Sequence, residues 1–172
     1  MRRRNPVPRQ WLMTDERMGD ALWRALRRLP PGSGVVFRHY ATPPAERRTL
    51  GLAIRRIAHA RGLVLVSAGA MPGIDARHGG RRPNASALLT RAVHDRREAQ
   101  AAAIAKADAV FVSPVYPTRS HPGAPAIGPA KARRIGRAAG APLIALGGVT
   151  RTRWRKLRLI GFYGWAAIDG WR

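Results

Sequence analysis

From residue 10 to residue 168 the sequence alternates short β-like runs with amphipathic helical patterns, and that alternation narrows the fold more than any other feature. The runs cover 10–14, 34–40, 63–67, 74–78, 88–94, 109–113, 143–146 and 163–168. Each is short, and the run Leu63-Val64-Leu65-Val66-Ser67 is nearly continuous in apolar residues, as strands buried on both faces are. Between them lie helical patterns. Over 20–29, Ala21, Leu22, Ala25, Leu26 and Leu29 recur at three- and four-residue steps, with Arg24, Arg27 and Arg28 opposite. Over 44–61, Leu50, Ile54, Ile57 and Ala58 share a side, and Gly62 supplies the stop. Asp95 and Glu98 have capping-box spacing ahead of an Ala-rich helix to Lys106. Pro129 opens a helix to Ala139 that Gly140 ends, and a last helix spans 152–160. Residues 68–84 are rich in Gly, Pro and Arg and leave little room for a helix.

Strands that alternate with helices in sequence build a parallel sheet, because each helix is the crossover between parallel neighbours. Seven or eight such steps in 172 residues fit a small, partly shortened (β/α)8 TIM barrel better than an open sheet. The expected organisation is one domain over 1–172, with 1–9 as a flexible basic arm.

Composition narrows the chemistry. Hydrophobic residues make up 45% of the chain, enough for a packed core. With no cysteine there is no disulfide, thiolate nucleophile or Cys-based zinc site. The apolar runs are too short for a membrane span, and Asn5-Pro6-Val7-Pro8 stands where a signal peptide would need an apolar stretch. The expected setting is cytoplasmic. The 32 Lys+Arg against 9 Asp+Glu give a net charge of +23, and all but Lys106, Lys131 and Lys156 of those cations are arginine. Such a charge attracts nucleic acid, anionic lipid and phosphorylated metabolites alike. Arg151, Arg153, Arg155, Lys156 and Arg158 surround Trp154 and Leu157, a pattern that could bind RNA through phosphates and stacking. Yet Trp154, Leu157 and Ile160 repeat every three residues, as on a helix packed against a sheet, so the preferred reading is a solvated charged face.

In a (β/α)8 barrel the chemistry sits at the C-terminal ends of the strands. That rim would gather Asp15, Arg38, Ser67, His78, His94, the loop 114–128, Gly147-Gly148 and Asp169. The loop holds Thr118, Arg119, Ser120 and His121, whose hydroxyls and backbone N–H groups suit phosphate oxygens. Gly147-Gly148 lets a phosphate approach the backbone. His78, His94 and His121 would form an acid–base group if they converge.

The run Ala107-Asp108-Ala109-Val110-Phe111-Val112-Ser113-Pro114-Val115-Tyr116-Pro117-Thr118, then Pro125-Ala126-Ile127-Gly128, then Pro142-Leu143-Ile144-Ala145-Leu146-Gly147-Gly148-Val149, resembles the thiamine-phosphate synthase/TenI superfamily. The likeness continues through Gly161-Phe162-Tyr163-Gly164-Trp165-Ala166-Ala167-Ile168 and is strongest over residues 90–170. It implies a barrel that joins hydroxymethylpyrimidine diphosphate to a thiazole phosphate and releases pyrophosphate. By the same resemblance Arg38 holds the diphosphate. Thr118 and Ser120 hold the thiazole phosphate with Gly147, Gly148 and Ile168, and His121 stands in the place of a family lysine. Ser113-Pro114 resembles the synthase branch, since the tautomerase branch carries His where Pro114 stands.

The departures are as informative. The family's Gln-x-Arg-x-Lys in the second strand reads Val36-Phe37-Arg38-His39-Tyr40. Its Asn-Asp pair, which serves magnesium, becomes Ser67-Ala68 or its neighbours, and the second acidic ligand falls near Pro83 beside Arg81-Arg82. The serine expected on strand five is Ala92, and the one closing strand eight is Asp169. Magnesium requires carboxylate oxygens, so no metal ligands are assigned. Arg81 and Arg82 could instead neutralise a diphosphate with Arg38. A TenI-like tautomerase, an inactive phosphate-binding barrel and an RNA or polyanion binder remain alternatives, and a homodimer stays open.

Overall fold

The computed structural model describes residues 7–118, 123 and 125–171. Eight parallel strands close into a barrel in strict chain order: β1 (Gln10–Met13), β2 (Gly34–Phe37), β3 (Val64–Ala68), β4 (Arg77–His78), β5 (Leu89–Val93), β6 (Ala109–Val112), β7 (Leu143–Ala145) and β8 (Gly164–Ala167). β8 returns to β1 through the register Trp11↔Ala166. Helices α1 (Ala21–Arg28) and α2 (Pro44–Ala60) follow the first two strands, and α3 (Arg96–Ile104), α4 (Pro129–Arg137) and α5 (Arg151–Leu159) follow strands five to seven. No helix follows β3 or β4. The small, partly shortened TIM barrel expected from the alternation is therefore what forms.

Period-two alternation sorts the strand side chains into one inner and two outer layers. Trp11, Met13, Val36, Val66, Ala109, Phe111, Ile144 and Ala166 fill the interior. Trp11 and Phe111 meet edge to face with ring centroids 5.2 Å apart. Gly34 makes room for the indole, since a Cβ there would overlap the Trp11 ring. Leu12, Val35 and Phe37 face outward onto α1 and α2 with Leu22, Leu26 and Ile54. On the other side Val110, Val112, Leu143 and Trp165 pack with Ala99, Ala132 and Leu157 of α3 to α5.

The helix ends follow the local chemistry. Asp95 accepts the N–H of Glu98 at the start of α3. Glu98 returns not to the cap residue but to the N–H of His94, at 2.6 Å, and to its imidazole Nδ1, at 2.8 Å. Thr150 caps α5 through the N–H of Arg153. On α5 Leu157 is buried and Trp154 half-buried, with the cations outside. Ile160, expected on the packing side, lies beyond the helix end and is 39% exposed.

Of the expected arm over 1–9, residues 1–6 lie outside the described residues, and 7–9 bond to the barrel. Val7 accepts the Tyr163 hydroxyl at 2.7 Å, Pro8 accepts the Trp11 indole N–H at 2.7 Å, and Arg9 accepts the Trp165 N–H at 2.8 Å. Backbone carbonyls at the base of a barrel need donors, and these bonds tie residues 7–9 to β1, to β8 and to Tyr163 just before it. Among the described residues no helix is long and apolar enough to cross a membrane.

Candidate active site

A cavity of about 650 Å³ opens at the C-terminal ends of the strands. Its floor and one wall are apolar, from Met13, Pro114, Leu146 and Val149. Polar groups reach it from two sides. From β6 to β8 come Ser113, Thr118, Thr150, Arg153 and Asp169, beside Gly147, Gly148 and the apolar Ile168; from β2 to β5 come Arg38, Tyr40, His78 and His94.

The β7 loop is shaped for close approach. Gly147 and Gly148 have φ of +91° and +60°, a region that favours glycine. A Cβ on Gly148 would strike the Pro117 carbonyl and Tyr116. Only a residue without a side chain lets the β6 and β7 loops meet here. The loop leads into Thr150 and the first turn of α5, so free backbone N–H groups and the positive end of the helix lie at the cavity edge. Arg153, one turn in, lies over the Tyr116 ring at 4.5 Å and donates to the Gly148 carbonyl. These contacts hold its guanidinium at the cavity.

Arg38 is positioned just as firmly. Its Nε donates to the Thr14 carbonyl at 3.1 Å, its Nη2 to Asp15 at 3.3 Å, and its backbone N–H to the Thr14 hydroxyl at 3.0 Å. Asp15 also binds Arg17 through both carboxylate oxygens, at 2.6 and 2.8 Å. Chiefly through the Arg17 hydrogen bond, the Asp15 pKa is lowered to about 2.

His78 stands at the inner end of the cavity, its Nδ1 2.9 Å from the Thr90 hydroxyl and its ring edge to face with Phe111 at 5.3 Å. Burial, with a smaller contribution from the Arg38 charge, pushes its pKa down to about 4, so the imidazole is neutral at pH 7. His39 is buried too and bonds the Thr14 hydroxyl through Nδ1 at 3.0 Å. It is a core residue rather than a cavity one.

Of the residues singled out from sequence, Arg38, Thr118, Gly147, Gly148 and Ile168 line the cavity. His78 and His94 line it as well. Ser120 and His121 fall outside the described residues. Arg81 and Arg82 are not among the lining residues. Arg81 is exposed. Arg82 pairs with Asp108 at 2.8 Å, and donates to the carbonyls of Ala87 and Lys106. Asp108 also accepts the Leu89 N–H at 2.8 Å. Those atoms begin β5 and β6, so Arg82 clamps the opposite end of the barrel, where it cannot meet a ligand at the mouth.

Arg153 is the residue that periodicity assigned to the solvated face and the structure assigns to the cavity. The signal lay in Thr150, whose capping role puts position 153 in the first turn, at the rim.

The magnesium site implied by the resemblance does not fit these residues. Among the carboxylates only Asp169 lines the cavity, and no three His, Cys, Asp or Glu cluster among the described residues.

Over the whole fold, the chain is similar to the thiamine phosphate pyrophosphorylase from Pyrococcus furiosus, with 19% identity and a TM-score of 0.73, covering 95% of this chain and 86% of that one. A structure described as "Native KDPGal structure" is similar at 13% identity and a TM-score of 0.58, covering 91% and 80%. At such identities both likenesses concern the barrel alone. No curated protein matches the sequence. The family pattern described as thiamine monophosphate synthase matches residues 74–170, beginning earlier than the run of strongest resemblance. That stretch is more than half of the chain and supplies β4 to β8 with most of the cavity wall, and on that match the chain belongs to the thiamine monophosphate synthase family.

Proposed function

We propose that the cavity binds a thiazole phosphate against the β6–β8 loops and joins it to hydroxymethylpyrimidine diphosphate held from the Arg38 side. One observation carries this reading: Thr118, Gly147, Gly148 and the capped start of α5 line the same cavity as Arg38. The first group offers a hydroxyl and backbone N–H donors suited to a monophosphate. Arg38 offers a fixed guanidinium that suits a diphosphate. The apolar surface of Met13, Leu146 and Val149 between them suits two heteroaromatic rings.

In the reaction the bond between the pyrimidine methylene carbon and the diphosphate oxygen breaks. The thiazole nitrogen forms the new bond to that carbon, and pyrophosphate leaves with the electron pair. A loose step of this kind needs orientation of the two rings and stabilisation of the leaving group. The family's polar residues are thinned on the Arg38 side, where Ala92 lines the cavity and His39 is engaged by Thr14. Those losses favour a second reading, in which thiazole phosphate binds but is not coupled.

Incubation of the protein with both precursors, assayed for thiamine phosphate, tests the synthase reading. Calorimetry with thiazole phosphate alone separates the two. Binding with product formation supports coupling, and binding without product assigns the barrel to the second reading. Absence of binding overturns both.

A further inference from the structure

The carboxylates of this chain are placed in a way that bears on how the cavity handles charge. All 9 Asp and Glu side chains belong to described residues. Asp108 is at the far end of the barrel with Arg82. Asp95 caps α3, and Glu98 is held by His94. Glu16 accepts the Ala41 N–H at 2.9 Å. Both oxygens of Asp15 are taken by guanidinium groups. Asp20, Glu46 and Asp75 do not line the cavity. Asp169 remains, and it is close enough to Arg17 to raise that residue's pKa, though less than Asp15 does.

A magnesium ion at a phosphate site is ordinarily held by one or two carboxylates together with ligand phosphates and waters. Here it would meet one carboxylate, already within the field of an arginine, and two guanidinium groups of its own sign. Imidazoles do not repair this, since magnesium favours oxygen donors.

The same wall is well made for anions. Arg38 and Arg153 come from β2 and α5, on different sides of the cavity. Each is fixed by contacts that spare it the entropy of ordering on binding: Arg38 by the Thr14 carbonyl and Asp15, Arg153 by Tyr116 and the Gly148 carbonyl. A guanidinium presents a planar fork that matches phosphate oxygens and is shed of water more readily than an ammonium. We infer that the cavity holds the phosphate or diphosphate of its ligand without a divalent cation, through Arg38 and Arg153. This rests on the proposed function for the ligand class and adds how the charge is met.

Calorimetry with inorganic pyrophosphate and with thiazole phosphate, each in excess EDTA and in excess magnesium, tests it. The expected result is a Kd in EDTA within about threefold of that in magnesium for at least one ligand, a free-energy difference below about 0.7 kcal/mol. Arg153→Met should weaken that binding by about 10- to 100-fold, and Arg38→Met likewise, as for a lost charged hydrogen bond. Arg38→Lys and Arg153→Lys keep the charge and lose the fork, and should fall between. They also report on binding if Arg38→Met fails to fold. Binding that appears only with magnesium overturns the inference and leaves the proposed function standing. Binding in EDTA that is unchanged in folded arginine variants also overturns it. Failure of both ligands under both conditions overturns the inference and the proposed function together.

Discussion

From β6 to β8 the cavity is shaped by a glycine-bearing loop and a capped helix start, whereas from β2 to β5 it is lined by side chains at strand ends. In the first sector Gly147 and Gly148, at positive φ, let the β7 loop lie against Pro114, Tyr116 and Pro117. The capped start of α5 follows directly. In the second sector Arg38, Tyr40, His78 and His94 project from strand ends, and no helix follows β3 or β4. A wall made of backbone depends on glycines, prolines and caps at fixed positions, because any Cβ at Gly148 meets the neighbouring loop. A wall made of side chains can change its chemistry while the strand register stays the same. The family match over residues 74–170 takes in the whole of the first sector and, of the second, β4 and β5 but not β2 or β3.

The largest effect expected concerns the base of the barrel, where the two sectors meet at β5 and β6. Arg82→Ala removes one member of a largely buried pair and takes the Arg82 guanidinium away from Asp108. Breaking such a pair costs about 3–5 kcal/mol, measurable by urea denaturation. Ligand affinity of the folded variant should be unchanged, because the clamp joins the starts of β5 and β6 rather than the mouth. Lost affinity with unchanged stability would return Arg82 to the ligand side and erase the contrast.

The second effect is on pH dependence. The buried His78 has a pKa of about 4 against an ordinary 6.5, with burial the main cause. Between those values the unfolded chain binds the proton and the folded chain does not. Stability is therefore full above about pH 6.5 and declines as pH falls toward 4, by about 3 kcal/mol over the window. His39, also lowered by burial, acts in the same direction. Asp15 acts lower: its depressed pKa contributes stability above its ordinary 3.8 that is lost as pH falls toward 2. Thermal melts across pH should show the upper window shrink in His78→Gln. An unchanged profile would mean that this side of the wall tolerates a charged imidazole.

Much of this was legible because periodicity and punctuation report local physics. Seven of the eight strands were marked by apolar runs, the exception being β4, whose residues are Arg77 and His78, and the helix ends by Asp95, Gly62, Pro129 and Gly140. The backbone-built sector was legible for the same reason, since Gly147-Gly148 and the hydroxyl at Thr118 are local signals. The destination of long cations was not. Arg153 looked like part of a solvated face, and Arg82 like a partner for a diphosphate. What separates them is tertiary: Asp108 lies 26 residues from Arg82, and the Tyr116 ring comes from the loop after β6. No spacing within a helix or loop reveals such partners.

A third, smaller effect probes the backbone-built wall itself. Gly148→Ala places a Cβ against the Pro117 carbonyl at a φ of +60°. Holding a non-glycine residue in that region costs about 1–3 kcal/mol. Melting temperature should fall and thiazole-phosphate affinity should fall with it, while pyrophosphate binding, assigned partly to Arg38, should suffer less. Equal losses for both ligands would mean the two sectors are not separable sites.

The smallest effect is the sharpest test of where one sector ends and side-chain recognition begins. Tyr116 does not line the cavity, yet its ring centroid lies 4.5 Å from the Arg153 guanidinium carbon. At an exposed site a cation–π contact contributes about 0.5–1 kcal/mol. Tyr116→Leu keeps an apolar side chain beside Gly148 but removes the π face. The guanidinium then keeps its bond to the Gly148 carbonyl and loses half of its support. Anion affinity should weaken by about two- to fivefold, with stability nearly unchanged, and the double variant with Arg153→Met should be no worse than Arg153→Met alone. An additive loss in the double variant would show that Tyr116 acts on the ligand directly. The backbone-built sector would then owe its affinity to an aromatic wall as much as to its glycines and helix start.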